Sequence, residues 1–302
     1  MRTLVTGATG FLGLNLCKEL QKRGAFIVAL RRDIFSCVNV SYWDVLAQGD
    51  VSSIANIERI LSDYRVDTVF HLAAQTEISV GVSDPIETFE SNVRGTWNVL
   101  EACRQQKTKR IIVASSDKAY GRTKPPYHEY DPLTPDRPYE TSKACVDLIA
   151  KTYADTYGMS IAVTRCVNLY GPGCRTISTL VPNTIRRVLR GEAPIIRNGG
   201  KMRRDWLYVD DAVDAYIKLA DSDYVGAMNF GGGVAVEVKD VVHLILSLME
   251  SKLEPIDEVD MHGEIVDQWA DTSLAKKILN WQPQTTLQDG LRKTVASFLE
   301  PS

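Results

Sequence analysis

Along the first half of the chain, short apolar runs alternate with longer segments in which apolar residues recur every three or four positions. The runs predict strands at 3–6, 26–30, 68–72, 110–114 and 161–165. The longer segments predict helices that end near residue 23 and that occupy 53–64, 85–105 and 139–157. Strands that alternate with helices of this length form a parallel sheet covered on both faces. The pattern therefore predicts an α/β fold with a doubly wound parallel sheet of the Rossmann type.

The pattern becomes less regular after residue 170. Glycine-rich turns at 171–173 and 231–233 separate shorter helices, which are predicted at 178–190, 210–221, 238–251 and 272–280. We expect a smaller α/β lobe that binds substrate, with the chain returning to the sheet at about 227–230. The predicted dinucleotide-binding domain comprises 1–168 with about 205–230, and the predicted substrate lobe comprises about 169–204 and 231–302.

Composition narrows the class of protein. Of the 302 residues, 44% are hydrophobic and 24% are charged, which is typical of a globular protein. The formal net charge of -3 gives no support to binding of nucleic acid or of an anionic membrane. The first strand begins almost at Met1, and no apolar run approaches the ~18 residues of a membrane span. The four histidines have no metal-ligand spacing, so we expect no metal site. Together these features predict a cytoplasmic protein.

A glycine-rich turn lies between the first predicted strand and the first predicted helix. In this position a tight turn lets backbone N–H groups and the helix N-terminus approach a pyrophosphate. A turn without a ligand is the alternative, but the strand before it and the helix after it favour dinucleotide binding. The residues expected to line this cofactor site are Gly7, Thr9, Gly10, Phe11, Leu12 and Gly13.

The end of the second predicted strand bears on the choice between NAD and NADP. An acidic residue there would hold the ribose hydroxyls of NAD. This chain instead has Arg31 and Arg32, with Asp33 slightly later. Two guanidinium groups suit a 2′-phosphate, whereas two merely solvated arginines would leave NAD binding intact. The cofactor is therefore predicted as NAD or NADP.

Tyr139 and Lys143 lie four residues apart on one face of a predicted helix. A nearby ammonium group and the positive nicotinamide ring lower the pKa of a phenol, so this pair suits proton abstraction from a sugar hydroxyl. An ordinary surface pair is the alternative. The segment 115–121, which contains Ser116, Asp117 and Lys118, follows the predicted strand at 110–114, at the carboxyl edge of the sheet where substrates bind in such folds.

Five motifs in this order resemble those of the extended short-chain dehydrogenase/reductase family. They are Gly7 to Gly13, His71-Leu72-Ala73-Ala74-Gln75, Tyr139 to Lys143, Asn168-Leu169-Tyr170-Gly171-Pro172 and Arg204-Asp205-Trp206-Leu207-Tyr208-Val209. The resemblance covers essentially the whole chain. Within the family the chain looks most like nucleotide-sugar 4,6-dehydratases, notably those that act on CDP-glucose. The segments that carry this resemblance are 115–121, 210–216 and 271–283.

The resemblance implies a role for each matching position. It makes Tyr139 the base, which holds the sugar 4-hydroxyl together with Ser116, and it makes Lys143 the group that holds the nicotinamide ribose. Asn92 is similar to a structural asparagine that supports the strand ends. The other implied cofactor contacts are Asp50, Val51, Leu72, Ala73 and Ala74, and the implied substrate contacts are Gln75, Asn168 and Arg204.

Asp117 and Lys118 distinguish the possible reactions. Epimerases of the family usually carry small neutral residues here, whereas 4,6-dehydration needs a base near C5 and an acid near O6. A protonated Asp117 and a neutral Lys118 would supply both. An ion pair that stays charged would be structural instead. The sequence favours a nucleotide-sugar 4,6-dehydratase, with a 4-epimerase as the alternative.

A dinucleotide-binding sensor without turnover is a further alternative, although Ser116, Tyr139 and Lys143 argue against it. The resemblance also implies a homodimer through the helices near 85–105 and 139–157. The outward faces of these helices include Trp97, Cys145 or Tyr153. Packing within one subunit explains such residues equally well.

Overall fold

The computed structural model describes residues 1–32, 42–174, 176, 178–259 and 265–300; Asp33 lies outside this set. The strands are β1 (Arg2–Thr6), β2 (Phe26–Arg31), β3 (Val45–Gln48), β4 (Thr68–His71), β5 (Arg110–Ala114), β6 (Ile161–Cys166), β7 (Asn168–Tyr170), β8 (Ile195–Arg197), β9 (Arg203–Arg204), β10 (Trp206–Tyr208), β11 (Gly226–Phe230), β12 (Val236–Glu237), β13 (Ile256–Glu258) and β14 (Asp267–Gln268). The α-helices are α1 (Phe11–Lys22), α2 (Ile54–Asp63), α3 (Ile78–Ser83), α4 (Pro85–Phe89), α5 (Gly95–Gln105), α6 (Pro138–Tyr157), α7 (Leu180–Leu189), α8 (Val209–Ala220), α9 (Val238–Leu248), α10 (Ser273–Leu279) and α11 (Leu287–Leu299).

Seven parallel strands form the main sheet, in the order β3-β2-β1-β4-β5-β6-β11. The strand order reverses between β1 and β4, where the crevice beyond the strand ends is the usual ligand site of such sheets. The predicted doubly wound α/β fold is confirmed. The edge strand β3 was missed because only one of its four residues is buried, so it lacks the continuous apolar run of the central strands.

Both faces of this sheet are buried, and alternate residues of each strand point to opposite sides. Leu4 and Val28 pack with residues of α2, α5 and α6, whereas Val5 and Ile27 pack with residues of α1 and α8. The continuous apolar runs in the sequence follow from this burial on both sides. A third apolar cluster is formed mainly by α7, α9 and α11.

Three small sheets lie in the second half of the described chain. β10 pairs with β7, β9 pairs with both β12 and β14, and β13 pairs with β8. Helix α11 was missed in the sequence because Gly290 interrupts its pattern. A Cβ at Gly290 would lie 2.2 Å from the Tyr170 hydroxyl, so close packing accounts for a glycine that otherwise weakens a helix.

The helix predicted at 85–105 is not continuous. A π-helical turn, Glu90–Arg94, separates α4 from α5 and contains the buried Asn92. π-turns often occur at functional sites because the extra residue changes the direction of one side chain. Helical periodicity alone does not reveal such an insertion.

A buried ion pair lies beneath the carboxyl ends of β5 and β6. Arg165 Nη2 is 2.8 Å from Asp147 Oδ1, with side chains only 7% and 4% exposed. Arg165 Nη1 also donates to the Tyr120 hydroxyl at 2.8 Å. On the other side, the Ser115 hydroxyl donates to Asp147 and to the Lys143 carbonyl. The pair therefore ties β5 and β6 to the middle of α6.

Arg165→Met is expected to destabilise the protein because it leaves the Asp147 charge buried without a partner. Breaking such a pair costs about 3–5 kcal/mol in the free energy of unfolding. Urea unfolding measures this. The matched control is Arg59→Met, whose pair with Asp63 is about half exposed on both sides, so that its loss costs ~1 kcal/mol or less. Equal effects of the two variants would contradict the expectation.

Candidate active site

The glycine turn brings the N-terminus of α1 close to the end of β1. Gly7 has a φ of +70°, and a Cβ at Gly13 would lie 2.1 Å from the Gly7 carbonyl oxygen. Gly10 caps α1 without a side-chain hydrogen bond, and the first turn contains no acidic residue. The first N–H groups of this helix are therefore left for an anionic ligand. This arrangement fits a dinucleotide pyrophosphate.

The other predicted cofactor residues lie on neighbouring strand ends and loops. Arg31 ends β2, and Arg32 follows it on the surface. The Asp50 carboxylate accepts a hydrogen bond from the Ser52 N–H at 2.7 Å, and the Val51 carbonyl accepts one from Asn98. Leu72, Ala73 and Ala74 follow β4, and Thr9, Phe11 and Leu12 lie within or just after the glycine turn.

A chain of buried hydrogen bonds supports this edge of the sheet. The Thr6 hydroxyl lies 2.8 Å from His71 Nδ1, and His71 Nε2 lies 3.1 Å from the Thr96 hydroxyl. Burial, with a smaller effect of the Lys143 charge, lowers the pKa of His71 to about 3, so the imidazole is neutral. The sequence alone assigns no role to His71, although this residue opens one of the five family motifs.

Asn92 joins the loop after β4 to α6. Its amide donates to the Gln75 carbonyl at 2.9 Å and to the Ser142 hydroxyl at 2.9 Å, and its oxygen accepts from the Gln75 N–H at 2.7 Å. The Gln75 side chain donates to the Glu77 carbonyl. These contacts hold the loop against the first turn of α6, which carries Tyr139.

Tyr139 and Lys143 are both buried at the start of α6, 8% and 4% exposed. Burial raises the pKa of the Tyr139 phenol, and a hydrogen bond with Ser116 opposes the shift only in part. This raised pKa describes the protein alone, and the lowered pKa expected with the nicotinamide bound stays a prediction. Lys143 Nζ donates to the Ala114 carbonyl at 2.9 Å, and burial lowers the pKa of Lys143 to about 8.

Asp117 and Lys118 follow Ser116 in a 3₁₀ turn, Asp117–Tyr120. Lys118 Nζ lies 3.0 and 3.1 Å from the two Asp117 oxygens. The Lys118 side chain is 14% exposed and that of Asp117 only 1%. The sequence left open whether the two side chains are neutral or charged, and this geometry is that of an ion pair. The Ser116 hydroxyl donates to Asp117 at 3.1 Å, so the three side chains form one cluster.

Asn168 connects this cluster to the second half of the chain. Its side-chain oxygen accepts from Lys118 Nζ at 3.4 Å, and its amide donates to the Asp205 carbonyl at 2.9 Å. The guanidinium of Arg204 donates to the carbonyls of Arg203, Ile265 and Val266. The structure therefore brings Asn168 to the predicted reaction centre, while these backbone carbonyls orient Arg204.

Asp205 is a buried carboxyl group that the sequence reasoning did not single out. It is fully buried, and its Oδ1 accepts from the Gly232 N–H at 2.9 Å. Its Oδ2 has no hydrogen-bond partner among the described residues. Burial raises the pKa of Asp205 to about 7, against the opposing effect of backbone N–H groups. The sequence carries one signal for this residue, since Asp205 directly follows Arg204 in the last of the five family motifs.

Two absences hold for the described part of the chain. Within these residues, no group of three or more His, Cys, Asp or Glu side chains is placed to bind a metal ion. Nor does any helix among them have the length and apolar character needed to cross a membrane.

Comparison with known families agrees with this fold. The profile described as the NAD dependent epimerase/dehydratase family matches residues 3–231. The UDP-glucose 4-epimerase of Thermotoga maritima, solved with UDP-glucose, superimposes with a TM-score of 0.94 at 28% identity over 99% of both chains.

Two curated relatives of similar identity have different activities. The UDP-glucuronate 4-epimerase of Thermodesulfobacterium geofontis is 29% identical over 97% of this chain and 94% of its own. The dTDP-glucose 4,6-dehydratase of Neisseria meningitidis serogroup B is 29% identical over 99% of this chain and 93% of its own. Overall similarity therefore does not separate epimerisation from dehydration.

Gly13→Ala is expected to weaken NAD or NADP binding at least about tenfold, because the added Cβ displaces α1 from the Gly7 carbonyl. Calorimetric titration of the cofactor-free protein measures the affinity. Gly24→Ala is the control, since its Cβ has open space and its positive φ costs only about 1 kcal/mol of stability. Unchanged affinity in Gly13→Ala would show that this turn does not hold the cofactor.

Proposed function

Because the chain belongs to the NAD dependent epimerase/dehydratase family, we propose that it is a nucleotide-sugar 4,6-dehydratase. The reaction oxidises C4, removes water across C5 and C6 and returns hydride to C6, with a CDP-glucose-like substrate favoured. The single observation that carries this proposal is the Asp117–Lys118 pair, held 3.0 Å apart beside Ser116. Epimerisation at C4 has no need for this acid and base.

The cofactor is NAD or NADP, and residues of the glycine turn, Arg31 or Arg32, Asp50 and Lys143 would hold it. The open N-terminus of α1 supports this assignment, since it offers N–H groups to a pyrophosphate. When bound, the nicotinamide ring supplies the hydride acceptor and donor for the sugar. All proton transfers are left to the protein side chains.

Tyr139 is proposed to remove the proton of the 4-hydroxyl, with Ser116 as its hydrogen-bond partner. The raised pKa of the buried phenol keeps it protonated in the protein alone. A bound cationic ring beside it would favour the phenolate, because a nearby positive charge stabilises the ionised form. Lys143 has a pKa of about 8 and supplies a second positive charge on the same helix face.

Elimination of water is assigned to Asp117 and Lys118. Moving one proton from Lys118 Nζ to Asp117 produces a carboxylic acid and an amine with no change in net charge. Closing the site over the pair favours this neutral state, since desolvation penalises both charged forms. The amine then takes H5 as a proton, and the acid protonates O6 so that it leaves as water. These two transfers leave Lys118 protonated and Asp117 ionised, which is the ion pair present at the start. When hydride is returned to C6, Lys118 would donate a proton to C5 and regain one from solvent.

A nucleotide-sugar 4-epimerase is the second candidate function. It requires the Asp117–Lys118 ion pair to stay charged, so that the pair only shapes the pocket. Tyr139, Ser116 and Lys143 serve either reaction. A sensor without turnover is disfavoured, since burying a lysine and a tyrosine together lowers stability, and a protein that only binds has no use for this arrangement.

We also propose the lobe division 1–168 with about 205–230 against about 169–204 and 231–302. Gln75 and Asn168 of the first lobe and Arg204 of the second would contact the nucleotide sugar. A homodimer through α5 and α6 is supported by Trp97, which is 44% exposed. Tyr153 bonds instead to Glu101 within the subunit.

The five described cysteines are free thiols, which supports a cytoplasmic location.

Turnover in D2O separates the two candidate reactions. The pure protein is incubated with a panel of nucleotide hexoses that includes CDP-glucose, and the products are weighed by mass spectrometry. A dehydratase yields a product lighter by one water and carrying carbon-bound deuterium at C5, because the H5 proton is replaced from solvent. A product of unchanged mass with a shifted chromatographic peak would mean a 4-epimerase and would overturn the proposal.

Lys118→Met is expected to lower kcat for this dehydration at least about 100-fold, the usual contribution of a general base. The matched control is Lys151→Met, an exposed lysine on α6 paired with Asp155, which should leave the rate unchanged. Steady-state assays on both variants give the comparison. Full activity in Lys118→Met would exclude Lys118 as the base.

A further inference from the structure

Two polar contacts join the start of α6 to the end of β5. Lys143 Nζ donates to the Ala114 carbonyl at 2.9 Å, and the Tyr139 phenol forms a hydrogen bond with Ser116. Lys143 is proposed to hold the ribose of the cofactor, and Tyr139 is proposed to be the base. The geometry of both groups therefore depends on how firmly α6 is held against the end of this strand.

A third contact lies one helical turn further along α6, at Asp147. Asp147 follows Lys143 by four residues, so the two side chains share one face of the helix. Its carboxylate accepts a hydrogen bond from the Ser115 hydroxyl, which also lies 3.2 Å from the Lys143 carbonyl oxygen. Three successive residues at the end of β5 thus meet three residues spaced along one face of α6.

The sheet fixes the same contact from the other side. The Ser115 N–H donates to the Thr164 carbonyl at 2.9 Å, which continues the pairing of β5 with β6. The next residue of β6, Arg165, binds Asp147 through Nε at 2.9 Å and through Nη2 at 2.8 Å. Ser115, Asp147 and Arg165 are all buried, which strengthens these contacts. Two neighbouring strands therefore determine the position of Asp147.

The charge of Asp147 also acts on Lys143. Lys143 is buried, and this burial lowers its pKa to about 8. The negative charge of Asp147 opposes the fall, because a carboxylate favours the charged form of a nearby ammonium group. Tyr139, one turn earlier, is protonated in the protein alone, and His71 on β4 is neutral. Asp147 is therefore the counter-charge of this lysine.

We propose that Asp147 is a positioning residue for the reaction, acting through Ser115 on Ser116 and through its charge on Lys143. Loss of its contact with Ser115 lets the end of β5 shift relative to α6. The Tyr139–Ser116 pair then loses its alignment with the sugar hydroxyl. This inference rests on the proposed function only for the oxidation at C4, the step that dehydration and epimerisation share.

Single-turnover conversion of nucleotide hexoses tests the inference. The holoenzyme is mixed in excess with UDP-, dTDP- or CDP-glucose and quenched at intervals, and the dependence of the rate on enzyme concentration gives Kd. Asp147→Asn is expected to slow the maximal rate at least about tenfold, because small displacements of reacting groups have effects of this size or larger. Kd should stay unchanged, since Asp147 acts on the reacting groups.

Ser115→Ala removes the same contact from the strand side and leaves the Asp147 charge in place. It should slow conversion less than Asp147→Asn does. The double variant should be no slower than Asp147→Asn alone, because both substitutions break one contact. Rate losses that multiply in the double variant would contradict the inference.

The pH profile of the rate separates the effect of position from the effect of charge. Without the Asp147 charge, Lys143 loses its proton at a lower pH. The decline in rate on the alkaline side should therefore begin at a lower pH in Asp147→Asn, and at the wild-type pH in Ser115→Ala. The other ionisable groups of the site are the same in all three proteins. An unshifted decline in Asp147→Asn would also contradict the inference.

Arg110→Met is the control for lost stability, since Arg110 is a buried arginine at the opposite end of β5. Its guanidinium donates to the Ser160 hydroxyl and to the carbonyls of Leu219 and Tyr224. Its loss should lower the melting temperature and leave the conversion rate unchanged. Slowing in Arg110→Met equal to that in Asp147→Asn would assign the effect to stability and refute the proposal.

A second variant serves should Asp147→Asn fail to fold. Asp147→Leu combined with Arg165→Met removes both charges, so that neither is left buried without a partner. The same slow conversion and the same shifted decline are expected. A wild-type rate in either protein would overturn the inference alone. Failure of the wild type to convert any of the three sugars would overturn the proposed function as well.

Discussion

The contact between Gly13 and the Gly7 carbonyl is the constraint on which the rest of the site depends. With a hypothetical Cβ at 2.1 Å, only glycine allows α1 to begin directly above the end of β1. This approach leaves the first N–H groups of α1 facing the crevice at which the strand order reverses. Strands β4 and β5 end beside the same crevice, so the loops that carry Gln75 and Ser116 open onto it.

Burying polar groups at this edge requires partners for them. Thr6, His71, Thr96 and Asn92 satisfy one another in a chain beneath the glycine turn. Asp147 and Arg165 do the same beneath Ser115. These networks hold the backbone in place, because a buried polar group that loses its partner costs more than a typical hydrogen bond contributes. The candidate reactive groups lie just above them.

The choice between dehydration and epimerisation depends on which of a few buried side chains carry a proton. Asp117 and Lys118 lie within ion-pair distance, and Asp205 adds a third buried ionisable group to the same region. Relatives of equal identity catalyse either reaction, and the scaffold supports both. What distinguishes the reactions is therefore the electrostatic environment of a few side chains rather than the fold.

The sequence by itself determined the doubly wound sheet, the glycine turn and the positions of Tyr139 and Lys143. These depend on local patterns, such as continuous apolar strands, a turn that only glycine can form and a four-residue helical spacing. Helix α11 escaped prediction because Gly290 looks like a helix breaker until Tyr170 is seen to pack against it. The π-turn at Asn92 leaves no mark on the hydrophobic periodicity.

Only the tertiary structure decided how the polar groups are paired and how strongly they are buried. Burial raises the pKa of the Tyr139 phenol in the protein alone, and the spacing of Tyr139 from Lys143 does not reveal this burial. Asp205 meets Gly232 and Asn168 across long separations in the chain, so its confinement could not be read from neighbouring residues. Burial is a sum over contacts from many segments, whereas a sequence pattern records only the nearest ones.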